Sequence, residues 1–271
     1  QTPSAGVFSK VELSALQSEY DAVVAQKAAR EKAILESART SMPVKKVEGS
    51  KFQGKKKCLV ILANFADTKF KPEHTLDLYK QIINGENYSD ETLGFKGSVR
   101  DYFKAQSGGQ FEIDFDVVGP VDLPKGYAGY GKNDASGRDQ AALVYPMVED
   151  AVNLAKDQVT DWKQYDWDGD GAADQVYVIY AGYGEASGAP ANTIWPHEWD
   201  LESGGYSLRL GGVRINTYAC SSELNGSSGT YISGIGTACH EFSHCMGIPD
   251  MYDTQNGGCF GMDAWDLMDY G

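Results

Sequence analysis

The sequence predicts an α/β (α+β) domain, a mixed twisted sheet with helices packed on it, preceded by a helical N-terminal arm. Three observations predict this. The continuous apolar runs Cys58–Ala63 and Val176–Tyr180 read as strands buried on both faces. Residues 111–117 alternate apolar and polar, as a strand with one wet face does. Residues 9–40 and 232–246 repeat their apolar positions at helical spacing. Strands interleaved with helices give a mixed domain rather than a bundle or a sandwich.

The elements follow in order. Ser9 and Glu12 make a capping box, and Leu13, Leu16, Tyr20, Val24, Ala28, Leu35 and Ala38 form a stripe behind it. The pattern ends before Pro43, because the residue ahead of a proline avoids helical geometry. A Lys-rich linker follows over residues 44–57. Residues 1–57 are therefore expected to form an arm and linker, and 58–271 the main domain. Within it, Leu59–Phe65 is a buried strand, 98–105 a helix, and 111–117 a strand. Residues 138–156 are helical, with Pro146 marking a kink or a boundary. Gln175–Ala181 is a second buried strand. Gly211-Gly212 sits between two short alternating runs, the signature of a two-residue hairpin. A helix over Ile232–Met246 stops at Gly247.

Charge divides the chain. Residues 1–57 carry a net charge of +5 and residues 58–271 a net charge of -19, out of -14 overall. An acidic body argues against nucleic acid as a partner and agrees with a protein that collects cations. The basic arm is able to dock on it electrostatically. No apolar run approaches the roughly 18 to 20 residues that a membrane span needs. The start Gln1-Thr-Pro-Ser-Ala reads as a chain whose signal peptide is already removed, so a secreted, extracellular or cell-surface location is expected. Cys58, Cys220, Cys239, Cys245 and Cys259 match no zinc motif and no disulfide framework. Buried free thiols are expected, with one bridge among Cys220, Cys245 and Cys259 as the alternative.

The chemistry concentrates at His240-Glu241-Phe-Ser-His244. Two histidines four apart on a helix share a face, so both imidazoles can reach one tetrahedral metal. Glu241 lies beside the metal and can take a proton from a zinc-bound water. The chain holds four histidines, so this spacing is not an accident of abundance. Gly247 can turn the chain back in a left-handed conformation. Asp250 then falls where a third ligand belongs, with Asp253 the runner-up.

The stretch His240-Glu-Phe-Ser-His244-Cys-Met-Gly247-Ile-Pro-Asp250 resembles the zincins whose helix ends in a glycine turn, the metzincin-like group. Asp in place of the commoner third histidine is similar to the immune inhibitor A family of secreted metallopeptidases. Trp265-Asp-Leu-Met268-Asp-Tyr-Gly271 resembles the Met-turn of that group. The resemblance implies a zincin fold and a secreted zinc endopeptidase acting on proteins or peptides. It implies zinc (Zn2+) on His240, His244 and Asp250, Glu241 as base and later acid, and Met268 under the metal. It makes Tyr270 a candidate for stabilising the oxyanion, and the N-terminal arm a prosegment that inhibits its own enzyme. The family is expected to continue beyond the Met-turn, so a truncated C-terminal end is expected here.

A second constellation is Asp166-Trp-Asp168-Gly-Asp170-Gly-Ala172-Ala-Asp174. Carboxylates at positions one, three, five and nine, with Gly171 at six and the Ala172 carbonyl at seven, suit calcium (Ca2+). Position twelve is Tyr177, which excludes an EF-hand. His197 is expected to be a structural, hydrogen-bonded histidine and His74 a surface residue. Glu198 and Glu223 could serve calcium or substrate, with nothing in the sequence to select between these roles. The competing functional class is a catalytically silent, calcium-stabilised binding protein of peptidase fold.

Overall fold

The computed structural model describes residues 51–133, 135, 141–225, 229–252, 261, 262 and 265–270. The expected arm helix lies outside the described residues, as do Asp253 and Cys259. A compact unit begins at Lys51. Its first strand, β1 (Gly54–Asn64), starts earlier than expected. Lys55, Lys56 and Lys57 extend it because each finds an acceptor: Lys55 pairs with Glu112, Lys56 Nζ donates to the Trp167 carbonyl at 2.8 Å, and Lys57 Nζ lies 2.6 Å from Asp116 Oδ1 on the adjacent strand.

The elements run as α1 (Leu76–Asn84), β2 (Ser89–Asp90), β3 (Phe95–Lys96), α2 (Val99–Gln106), β4 (Phe111–Asp122) and α3 (Ala141–Ala155). Then come β5 (Ala172–Ala173), β6 (Val176–Tyr183), β7 (His197–Asp200), β8 (Leu208–Leu210), β9 (Val213–Ile215), β10 (Thr217–Asn225) and β11 (Tyr231–Ile232). Helices α4 (Ile235–Cys245) and α5 (Leu267–Tyr270) close the order. Pro146 lies inside α3 without ending it, so the expected boundary does not occur there.

Among the described residues, the main sheet has the order β11-β10-β6-β1-β4, with β7 also on β10. β4, β1, β6 and β10 are parallel to one another. β7 and β11 run antiparallel on the outer side of β10. The sheet is therefore mixed, as the sequence implies. The expected hairpin forms at β8–β9, with Gly211 and Gly212 both at positive φ.

The period of two along β1 builds two cores. Leu59, Ile61 and Ala63 face α3 through Val148, Ala151 and Val152. Cys58, Val60 and Leu62 face the other way, toward α1, α2 and α4. Phe242 anchors α4 there, with the rings of Phe103 and Phe115 at 5.0 and 5.6 Å. Removing such a side chain costs about 3–5 kcal/mol, so the helix that carries the histidines is rigidly seated. The four described cysteines are free thiols, which excludes the alternative of a Cys220–Cys245 bridge.

Candidate active site

Helix α4 ends in a tight double closure. Gly247 takes φ +84°, its N–H donates to His244 O at 2.8 Å, and the Ile248 N–H donates to Ser243 O at 3.2 Å. This pair of bonds caps the last helical carbonyls. The same turn aims a ligand, because the Ile248 carbonyl lies 2.8 Å from His244 Nδ1. His240 Nδ1 is held likewise by the Leu267 carbonyl of α5, at 2.7 Å.

A carbonyl only accepts, so each Nδ1 carries the proton. In a neutral ring that leaves each Nε2 as a bare acceptor. The two Nε2 atoms lie 3.1 Å apart, and each is 3.2 Å from Asp250 Oδ1. Asp250 Oδ1 is buried and receives no hydrogen bond. Three acceptors thus meet with no donor between them. Ligand atoms about 2.0–2.1 Å from a tetrahedral ion stand about 3.3–3.4 Å from one another, so the triangle already has nearly that size.

Residues 45–271 match the model of the immune inhibitor A peptidase M6 catalytic domain. The chain belongs to the immune inhibitor A (M6) peptidase family. It is 28% identical over 254 residues to immune inhibitor A of Bacillus thuringiensis subsp. alesti, covering 80% of this chain and 36% of that protein. It is also 28% identical over 254 residues to the pre-pro-metalloprotease PrtV of Vibrio cholerae serotype O1, strain M66-2, covering 79% of this chain and 27% of that protein. The chain thus spans about a third or less of the curated relatives it matches.

In this M6 chain the triangle opens on a cleft of about 600 Å³, bounded by Trp195–Trp199 on one side and Pro249–Tyr252 on the other. Glu241 lines it and is 7% exposed. Burial pushes its carboxyl up to about 8, with the charges of Asp250 and Glu198 adding to the effect. A cation on the triangle would pull it back down. Met268 is buried, and its carbonyl accepts the Met251 N–H at 2.9 Å, tying α5 to the segment that bears Asp250. Contact with the histidine pair comes from the neighbouring Leu267 carbonyl. Tyr270 closes α5, and its side chain lies outside the described residues.

The acidic loop gathers three of its four carboxylates. Oxygens of Asp166, Asp168 and Asp174 lie within 4.8 Å of one another. Asp170 does not join them: its Oδ1 accepts the Ala172 N–H at 2.8 Å. Ala172 itself enters β5, in register with Arg214. A cation already reaches the cluster, since Lys51 Nζ lies 2.6 Å from Asp174 Oδ1 and 3.8 Å from Asp168 Oδ2. Burial opposes the charge on Lys51, but Asp174, Asp168 and Asp170 together hold its ammonium above the ordinary range. Burial likewise pushes the Asp174 carboxyl up, and Lys51 offsets only part of that.

Two further expectations resolve differently. His197 is hydrogen-bonded, with Nε2 2.9 Å from the Tyr218 hydroxyl and Nδ1 2.7 Å from the Trp195 carbonyl. His74 is not a surface residue. It is 6% exposed and bonds the fully buried Glu223 at 2.6 Å. Glu223 also accepts the N–H groups of Lys71 and Gly182, so its oxygens are used in binding loop to sheet. Sequence reasoning missed Lys51 and the two carbonyls that orient the histidines. Backbone acceptors leave no trace in residue type, and Lys51 was one lysine among many.

Proposed function

We propose that this chain is the catalytic unit of a secreted zinc endopeptidase. The observation that carries the reading is the triangle of bare acceptors, His240 Nε2, His244 Nε2 and Asp250 Oδ1, each 3.1–3.2 Å from the others. Two imidazoles and one carboxylate are a donor set for zinc rather than for calcium or magnesium. Zinc bound there supplies a Lewis acid that polarises a carbonyl and acidifies water. Glu241 is the neighbouring carboxylate that takes the proton from the attacking water. It then delivers that proton to the leaving amine. Met268 and its helix hold His240 in place, and Tyr270 is proposed to serve the developing oxyanion.

The decisive experiment is Glu241→Ala. Zinc should remain stoichiometric while hydrolysis of a protein substrate is lost. Full activity in that variant would sink the mechanism.

The remaining assignments belong to the same reading. Asp166, Asp168 and Asp174 are proposed to hold calcium, with Asp170 and the Ala172 carbonyl joining only if the loop rearranges. Residues 1–50 are proposed as an intramolecular inhibitor; Lys51, Lys55, Lys56 and Lys57, which supply most of the +5 charge of residues 1–57, belong instead to the compact unit and its first strand. Removing residues 1–50 should raise peptidase activity, and a fall would show that the arm belongs to the enzyme. Among the described residues no helix is long and apolar enough to cross a membrane.

A further inference from the structure

We propose that Glu198 selects a cationic group on the substrate, either a Lys or Arg side chain or a free α-amino group. The proposal rests on the peptidase reading above.

Register fixes where Glu198 points. On β7, Glu198 pairs with Ala219 and Trp199 with Tyr218. Paired residues of neighbouring strands share a face of the sheet. Ala219 belongs to the core that contains α4, and Tyr218 to the core on the opposite face. Glu198 therefore projects toward the helix that carries His240, Glu241 and His244, while Trp199 projects away from it. The carboxylate enters the same cleft as the acceptor triangle.

Every other described acid of that cleft has a task. Asp250 completes the triangle and Glu241 is the proton carrier. Glu198 does not orient a ligand either, because both Nδ1 atoms are taken by the carbonyls of Leu267 and Ile248. Among the described residues no hydrogen bond or ion pair reaches its carboxylate. It is half-buried, and among the described residues no Lys or Arg lines the cleft. A half-buried carboxylate with no protein donor favours a partner that brings charge and donors together. An incoming ammonium or guanidinium supplies both the missing charge and the missing donors. Burial holds the Glu198 carboxyl above its ordinary range, with Asp200 adding to this and His244 opposing it.

The test compares peptides that carry Lys, Arg or norleucine at successive positions around one cleavable bond. Each is made with a free and with an acetylated N-terminus, and is offered to the zinc-loaded full chain. At one position the ratio of kcat/KM for the cationic over the norleucine peptide should be about tenfold or more, carried mainly by KM. In Glu198→Gln that ratio should fall to about two or less, and in Glu198→Lys it should invert in favour of Glu at that position. The ratio is taken within each protein, so a general loss of activity cancels. If acetylation alone removes the preference, the α-amino group is the cation; if it does not, the side chain is. A ratio that survives in Glu198→Gln overturns the proposal. Should the wild-type chain cut none of the peptides, and the chain without residues 1–50 also cut none, the peptidase reading fails. Calorimetric binding of the lysine and norleucine peptides to the Glu241→Ala protein then decides the question. A lysine preference lost in Glu198→Gln supports the selection, and equal binding overturns it.

Discussion

The two acid-bearing sites differ in how their charge is balanced. At the helix end, two imidazoles and one carboxylate point at a common centre, and each imidazole is pinned from behind by a backbone carbonyl. In the loop, three carboxylates converge, and Lys51 already lies among them. The loop oxygens also accept local N–H groups, as Asp166 does from Gly169 and Gly171. One site therefore lacks any internal cation, while the other carries a substitute. A metal at the first completes an unfinished set. A metal at the second must displace a lysine.

The largest effect expected from this contrast is at the first site. His244→Ala should lower zinc affinity by more than about 100-fold, since even losing an outer-shell partner costs 10- to 100-fold. Calcium-dependent melting of the same variant should be unchanged. Metal analysis and thermal unfolding check both halves, and a parallel loss of calcium response would end the claim of independence.

Next comes Lys51→Met, which removes the internal cation. Without calcium it should lose about 2 kcal/mol at neutral pH, between the values for exposed and buried pairs. The sign of the pH dependence follows from Asp174, whose carboxyl is raised by burial. A raised folded pKa means that the folded chain binds that proton more tightly than the unfolded one. The cost of the bare carboxylate is absent below the unfolded pKa and grows as pH rises through the folded one. The defect of Lys51→Met should therefore fade on acidification and be repaired by calcium. Melting curves against pH, with and without calcium, test this. A defect that is the same at every pH would show that Lys51 acts by packing.

The smallest effects come from two matched glycines. Gly171 and Gly247 take φ +85° and +84°, and an added Cβ would meet nothing within 4 Å at either. Alanine at each should cost about 1 kcal/mol through backbone strain alone. Only Gly247→Ala should also weaken zinc, because its turn aims His244 and Asp250. Only Gly171→Ala should weaken the calcium response.

The sequence by itself determined the parts of this protein that depend on neighbours along the chain. The spacing of His240 and His244, the stop at Gly247, the Gly211-Gly212 hairpin and the alternating strand from Phe111 were all legible. Local geometry alone requires those residue types. The family likeness was legible for the same reason, since its motif is a single helix and turn. Tertiary structure decided what depends on residues far apart. It placed Lys51 on Asp174, buried His74 against Glu223, and brought the Leu267 carbonyl behind His240. It left Asp170 out of the acidic cluster, with its Oδ1 on the Ala172 N–H instead. It also turned Glu198 toward the helix, a direction fixed by the register of β7 on β10. Register is set by which faces are buried across the whole sheet, and no short stretch of sequence contains that information.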